Sequence, residues 1–277
     1  MLAKIENISL DYISAFVSKN RVTIEKRLSD LIPEKRISRL KKQVGFEEFS
    51  ISDEKICSSD LCFASAEKIF SETKISRDEI SAIIFITQTP DYFLPSTAHI
   101  LHNRLKLPRN AIAFDVGLGC SGFVYGIYIA ANILQNISGK ILLLCGDTIT
   151  KIISQEDISG LSVFGDAGTA AIISKREGQK IFFNLETFGE LSDGIIMKRG
   201  AFRNPFFIEN NSTNLRENFA EMDGAKVYDF SVKKVPQNLL ELKDFAGINF
   251  DDAGIFLMHQ ANKMIVQDIA FNLNLSE

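Results

Sequence analysis

Asp115-Val116-Gly117-Leu118-Gly119-Cys120-Ser121-Gly122-Phe123 decides how this chain is read. The apolar run Ala111 to Val116 ends in it, and a stretch with almost no charge, Cys120 to Ile137, begins in it. A short apolar run, a glycine turn and a long apolar stretch make a strand–turn–helix unit. In such a unit the turn sits at the carboxyl end of the strand, where α/β proteins assemble their sites. The stretch from 120 to 137 is apolar on nearly every face, so it is expected to be buried all round rather than to lie on a sheet surface.

Working outward, the pattern repeats. Ser81 to Thr87 reads as a buried strand, Ser96 to Leu105 as a helix opened by Pro95-Ser96, and Lys140 to Cys145 as a strand. Val163 to Ser174 joins a glycine turn to an apolar strand, and Lys180 to Glu186 reads as a further strand. Asp193 to Glu221 is polar and loop-rich, a surface insertion. Val227 to Phe245 suits a long helix, with Pro236 in its first turns or kinking it. Gly254 to His259 reads as a strand and Asn262 to Leu273 as a helix. The class is α/β, with related halves at 1–175 and 176–277, the second shorter.

Composition narrows the function. Of 277 residues 45% are apolar and 24% charged, which excludes a disordered or low-complexity chain. A net charge of −4 supplies no global basic field, so no nucleic-acid partner is expected. The start, Met1 to Asn7, lacks a signal-peptide core, and the longest apolar runs fall short of a membrane span. A cytoplasmic protein with no membrane partner is expected. Asn136-Ile137-Ser138 and Asn210-Asn211-Ser212 match the glycosylation pattern, which has no meaning without a secretory route.

Two residues stand out as carriers of chemistry. Cys120 heads a helix, where the dipole and free backbone N–H groups favour a thiolate and can hold an oxyanion; the blander reading is a packed thiol between glycines. His259 closes the apolar run Gly254 to Met258 and opens Gln260-Ala261-Asn262, facing a loop; a lone histidine is more often structural. Cys145 reads as core. Cys57 and Cys62 form a lone C-x4-C, and His99 and His102 lack a third ligand, so no metal is expected. The run Arg36 to Lys42 is either a solvated helix face or a docking patch for an acidic protein or for the phosphates of a nucleotide, with Lys233, Lys234 and Lys263 as further candidates.

Taken in order, these motifs resemble the thiolase-like condensing enzymes, and within them the β-ketoacyl-acyl-carrier-protein synthase III family. Gly119-Cys120-Ser121-Gly122-Phe123 is similar to the nucleophile segment, Phe164-Gly165-Asp166-Ala167-Gly168 to the glycine turn closing the first half, and His259-Gln260-Ala261-Asn262 to the catalytic-histidine motif. Thr89-Pro90-Asp91 to Pro95-Ser96 resembles the segment that shapes the partner subunit's acyl pocket, through Phe93 and Leu94.

The resemblance implies a five-layered αβαβα fold of two pseudo-repeated halves and a homodimer. It also implies an acyltransferase that joins an acyl group on Cys120 to a malonyl-type carrier thioester with loss of CO2, in fatty-acid or specialised acyl synthesis. His259 is then the second catalytic residue. Phe93, Leu94, Phe164 and Asn262 line the substrate site, and Arg36, Arg39 and Lys263 dock the acyl carrier protein. The donor is acyl-CoA or an acyl-carrier thioester, with no cofactor.

The family's catalytic Asn, in a Gly-Asn-Thr-type motif, has no counterpart before Glu277. The resemblance therefore reads the chain as truncated, its second half lacking the final strands. Two alternatives remain at this level: an acyltransferase that forms no carbon–carbon bond, and a catalytically inactive fragment or partner subunit.

Overall fold

Ile80 to Ile86 contains no charged side chain, and a strand of that composition needs cover on both faces. The computed structural model, which describes residues 1–206 and 215–275, supplies it. In chain order the elements are β1 (Leu2–Phe16), β2 (Arg21–Thr23), α1 (Ile24–Leu28), α2 (Glu34–Val44), β3 (Glu48–Ser50), α3 (Ser58–Glu72), β4 (Ile80–Ile86), α4 (Thr97–Arg104) and β5 (Ile112–Val116). They continue with α5 (Gly122–Asn136), β6 (Lys140–Asp147), α6 (Ile158–Leu161), β7 (Ala167–Asn184), β8 (Ile195–Met197), β9 (Ala220–Met222), α7 (Gly224–Ala246) and α8 (Lys263–Asn272).

A five-stranded sheet in the order β1-β7-β6-β4-β5 forms the centre. β4 is parallel to β5 and β6, while β7 is antiparallel to β6 and to β1. Strand periodicity then sorts the core. Ile83, Phe85, Leu142, Leu144 and Ile172 face α3 and α4, and Ile84, Ile86, Ile141, Leu143 and Ile173 face α5. Each fully buried Ile or Leu contributes about 1.5–3 kcal/mol. Helix α4 owes its start to the sheet: Ser96 makes no side-chain cap, and Asp115 of β5 accepts hydrogen bonds from Thr97 N at 2.6 Å and Ala98 N at 2.7 Å.

Expectations for single elements are corrected as follows. Helix α5 is not buried all round: its Gly122, Gly126, Ala130, Ala131 and Leu134 face packs on the sheet, while Val124 is 48% exposed. Among the described residues the strands outside the central sheet form the two-stranded β2–β3 and β8–β9 pairs. Lys180 to Glu186 is not a separate strand, because β7 runs unbroken through residue 175, where Lys175 pairs with Ile8. The division at residue 175 thus falls inside a strand.

Gly254 to His259 is not a strand: among the described residues no neighbour offers it a ladder of hydrogen bonds, and Gly254 lies in a bend. Its alternation survives, with Phe256 against Phe250, Met258 packed between α7 and α8, and Ile255 and Leu257 exposed. Pro236 lies deep inside α7 rather than in its first turns. The insertion carries β8, β9 and two 3-10 turns, Gly189–Gly194 and Leu215–Asn218; Asn210-Asn211-Ser212 lies outside the described residues.

Candidate active site

The turn after β5 is built by carbonyls. Val116 O accepts from Thr87 N at 3.2 Å and from Leu118 N at 3.0 Å, and Gly119 O accepts from Gly122 N at 2.7 Å, closing the chain around Cys120. Missing side chains then bring α5 down onto β4. A Cβ on Gly126 would stand 2.5 Å from Ile86 Cδ1 and 2.7 Å from Leu143 Cδ1. Ser121 makes no side-chain cap, so the first N–H groups of α5 beside Cys120 are unclaimed by one.

Cys120 is the one exposed cysteine of the four; Cys57 and Cys145 are half-buried and Cys62 is buried. Its thiol is nevertheless pushed up from the ordinary value, first by burial of the sulfur and further by the charge of Asp147, with its own backbone N–H opposing. The helix end alone predicts the opposite direction. Here the surrounding protein outweighs it.

Asp147, at the end of β6, draws the next layer together. Its Oδ1 accepts from Thr87 Oγ1 at 2.8 Å, Gln88 N at 2.7 Å, Thr89 N at 3.0 Å and Thr89 Oγ1 at 2.9 Å. Thr89 Oγ1 in turn accepts from Thr148 N at 3.0 Å, and Thr89 O accepts from Ser58 Oγ at 2.8 Å. Burial pushes the Asp147 carboxyl up, against those donors. The segment so held lays the Gln88 carboxamide over Gly119, filling the place where a Cβ would be. Sequence reading missed Asp147 and Gln88, although a carboxylate closing the apolar run Lys140 to Cys145 was a signal.

His259 sits on the extended segment before α8, exposed and hydrogen-bonded through its carbonyl to Ala261 N at 2.9 Å. It borders a cavity of about 350 Å³ walled by Val235, Leu239, Met258, Ile265 and Ile269. Although the residue as a whole is exposed, partial burial of the ring lowers its pKa from the ordinary value, so the neutral imidazole prevails at pH 7. Among the described residues no hydrogen bond joins His259 to Cys120, and Cys120 does not line that cavity.

The other candidates are placed as follows. Phe93 and Leu94 are 68% and 82% exposed, with Phe93 stacked at a tilt on Phe202 at 5.6 Å. Phe164 packs with Ile24, Leu28 and Phe49, and its carbonyl takes Arg27 Nη1 at 2.7 Å. Asn262 caps α8, its Oδ1 accepting from Ile265 N at 2.8 Å. Arg36 and Arg39 lie exposed on α2, and Lys263 packs against Gly45, which ends α2 in the left-handed region at φ +79°. The structure therefore brings Lys263 to the end of the helix that carries Arg36 and Arg39. It leaves Phe164 and Asn262 in packing and capping contacts.

The family model for 3-oxoacyl-[acyl-carrier-protein (ACP)] synthase III matches residues 114–189, from β5 through the Cys120 turn to β7. A putative 3-oxoacyl-[acyl-carrier-protein] synthase 3 of Campylobacter jejuni is 32% identical over 286 residues, which cover 100% of this chain and 81% of that protein. The chain belongs to the 3-oxoacyl-[acyl-carrier-protein] synthase III family. The β-ketoacyl-[acyl-carrier-protein] synthase III of Latilactobacillus sakei is 31% identical, over 85% of this chain and 72% of its own. The solved 3-oxoacyl-(acyl-carrier protein) synthase of Burkholderia xenovorans superposes with a TM-score of 0.93 at 27% identity, over 100% of this chain and 80% of that one. The fold of this synthase III family member is thus the thiolase-like α/β fold, and its class is that of acyltransferases.

Proposed function

We propose that this chain condenses an acyl thioester with a malonyl-type carrier thioester to give a 3-oxoacyl-carrier product in fatty-acid or related acyl synthesis. The observation that carries this is an exposed thiol, Cys120, at a glycine turn heading α5, beside the carboxyl ends of the parallel strands β4 and β5. The thiolate adds to the acyl carbonyl while backbone N–H groups of the turn hold the oxyanion; the donor's thiolate leaves and takes up a proton. The malonyl group then loses CO2, its electron pair passing to an enolate. The enolate carbon attacks the acyl-cysteine carbonyl, and the C–S bond breaks to return the Cys120 thiolate.

In this reading the neutral His259 imidazole donates a hydrogen bond to the enolate oxygen. The half bearing Cys120, 1–175, and the half bearing His259, 176–277, then contribute one residue each. Both substrates arrive as activated thioesters, so the scheme balances without a cofactor. The partner is an acyl carrier protein, acidic and met by Arg36, Arg39 and Lys263; acyl-CoA is the other donor. A homodimer is supported by the edge of β5, which is unpaired among the described residues, and by the exposed side chains of Tyr92, Phe93 and Leu94 in the segment between β4 and α4. The protein works in the cytoplasm.

Intact-mass spectrometry after incubation with acetyl-CoA and, separately, acetyl-carrier protein tests the first step. An adduct that maps to Cys120 and disappears in Cys120→Ala is expected. Addition of malonyl-carrier protein should then release CO2 and the adduct together. No adduct from either donor would overturn the reading, and adduct turnover without CO2 would replace condensation by simple acyl transfer.

A further inference from the structure

We propose that Gln88 is a positioning residue for Cys120, wedged over Gly119 by the segment that Asp147 ties down. The proposal rests on Cys120 as the reacting group and concerns what holds its turn in shape. Gly119 is the residue before the nucleophile, and nothing covalent stiffens it. The place its side chain would occupy is taken by the end of Gln88: a Cβ there would meet the Gln88 carboxamide oxygen and stand 2.8 Å from its Cδ. The glycine at 119 is thus matched to the glutamine at 88, and the pair works as a single packed unit.

Gln88 makes no side-chain hydrogen bond among the described residues, and it is exposed. Its own backbone is held instead. Its N–H donates to Asp147 Oδ1, and both neighbouring threonines donate to the same oxygen. Holding a surface side chain of this length over Gly119 costs rotamer entropy, and a backbone already fixed limits that cost to the side chain's own torsions. Four donors on one carboxylate oxygen provide that fixed root, and the tip then fills the side of Gly119 where a side chain would stand. The N–H groups that follow, from Cys120 into α5, keep their aim at the sulfur and at an incoming oxyanion. Asp147 thereby acts at a distance, through Thr87 to Thr89, on a turn it does not touch by hydrogen bond.

Iodoacetamide alkylation of Cys120 across pH 6–10, read site by site by mass spectrometry, tests this without any acyl substrate, so a failure of the acylation reading and a failure of this one are told apart. Gln88→Ala empties the space and should move the midpoint of the alkylation profile up by about half a pH unit or more, with Tm unchanged. Gln88→Met refills the space and should restore the midpoint. Gly119→Ala collides with Gln88, and the double variant Gln88→Ala with Gly119→Ala should alkylate closer to the parent than Gly119→Ala does. Should Gly119→Ala fail to fold, the two Gln88 variants decide alone. An unmoved midpoint in Gln88→Ala, an equal shift in Gln88→Met, or a double variant no better than Gly119→Ala would each overturn the proposal.

Discussion

Asn272 Nδ2 of α8 donates to Val232 O of α7 at 3.1 Å. Val232 lies four residues before Pro236, whose ring has no N–H, so its carbonyl is the one the proline leaves without a helical partner. The contact explains how a proline survives deep in a 23-residue helix and ties α8 to α7 at that place. Asn272→Ala should cost about 0.5–1.5 kcal/mol in urea unfolding. In a Pro236→Ala background, where residue 236 can donate for itself, the same change should cost less. Equal costs in both backgrounds would mean that the amide does not serve the proline.

Gly168 predicts a larger loss. A Cβ there would meet backbone, the amide nitrogen of Cys62 and, at 2.5 Å, the carbonyl carbon of Leu61, so nothing flexible can give way. Gly168→Ala should lift α3 off β7 and cost about 3 kcal/mol or more. Ser65 Oγ, which donates to Gly168 O at 2.8 Å, should lose that bond as well. Urea unfolding of the purified variant measures the cost, and a loss below about 1 kcal/mol would show that the helix can retreat.

Ile80–Ile86, Lys140–Asp147 and Ile112–Val116 were legible because continuous apolar runs between turn residues have one stable use, a strand covered on both faces. Cys120 was legible because glycines bracket it at a strand-to-helix turn. Gly254 to His259 misled because alternation reports which side chains pack, not whether another strand lies alongside. Asn262 and Phe164 were read as lining a substrate site, whereas their visible contacts are a helix cap and a packing cluster. Gln88 was invisible because Gly119, over which it lies, is distant in the chain, and the role of Asp147 was hidden because its donors, Thr87 to Thr89, belong to another strand end.

His259 carries a pH prediction. Burial lowers its folded pKa below the ordinary value of 6.5, so below that value the unfolded chain binds the proton more readily than the folded one. Its contribution is therefore favourable above about pH 6.5 and is lost as pH falls through the folded pKa. NMR titration should place the His259 midpoint below those of histidines in unfolded peptides. His259→Gln should flatten the fall in stability between about pH 6.5 and 5. A midpoint at or above the peptide value would contradict the burial of the ring.

The four cysteines should separate on labelling. Cys120 is exposed, while burial pushes Cys145 up to about 12 and raises Cys57 and Cys62 as well. Iodoacetamide at pH 8 should label Cys120 first, yet more slowly than an unperturbed thiol, because its own pKa is also raised. Asp147→Asn keeps an acceptor for Thr87 to Thr89 and removes the charge, so Cys120 labelling at pH 8 should rise by about 3-fold or more. A fall in that rate would mean that the carboxylate helps the thiolate by a route other than its charge.

The basic face of α2 and the start of α8 form one surface, because Lys263 rests on the glycine that ends α2. Arg36, Arg39 and Lys263 are exposed charges available to an acidic carrier protein, and at physiological salt such charges act over roughly 8 Å. Reversing all three to Glu should raise KM for a carrier-bound thioester at least 5-fold, by about 1 kcal/mol of lost attraction, and leave kcat and the KM for a short acyl-pantetheine thioester unchanged. The effect should shrink as salt is raised, since ions screen what the arginines supply. Equal losses on both substrates would place these residues in the chemistry or the fold rather than in docking, and a salt-independent loss would point the same way.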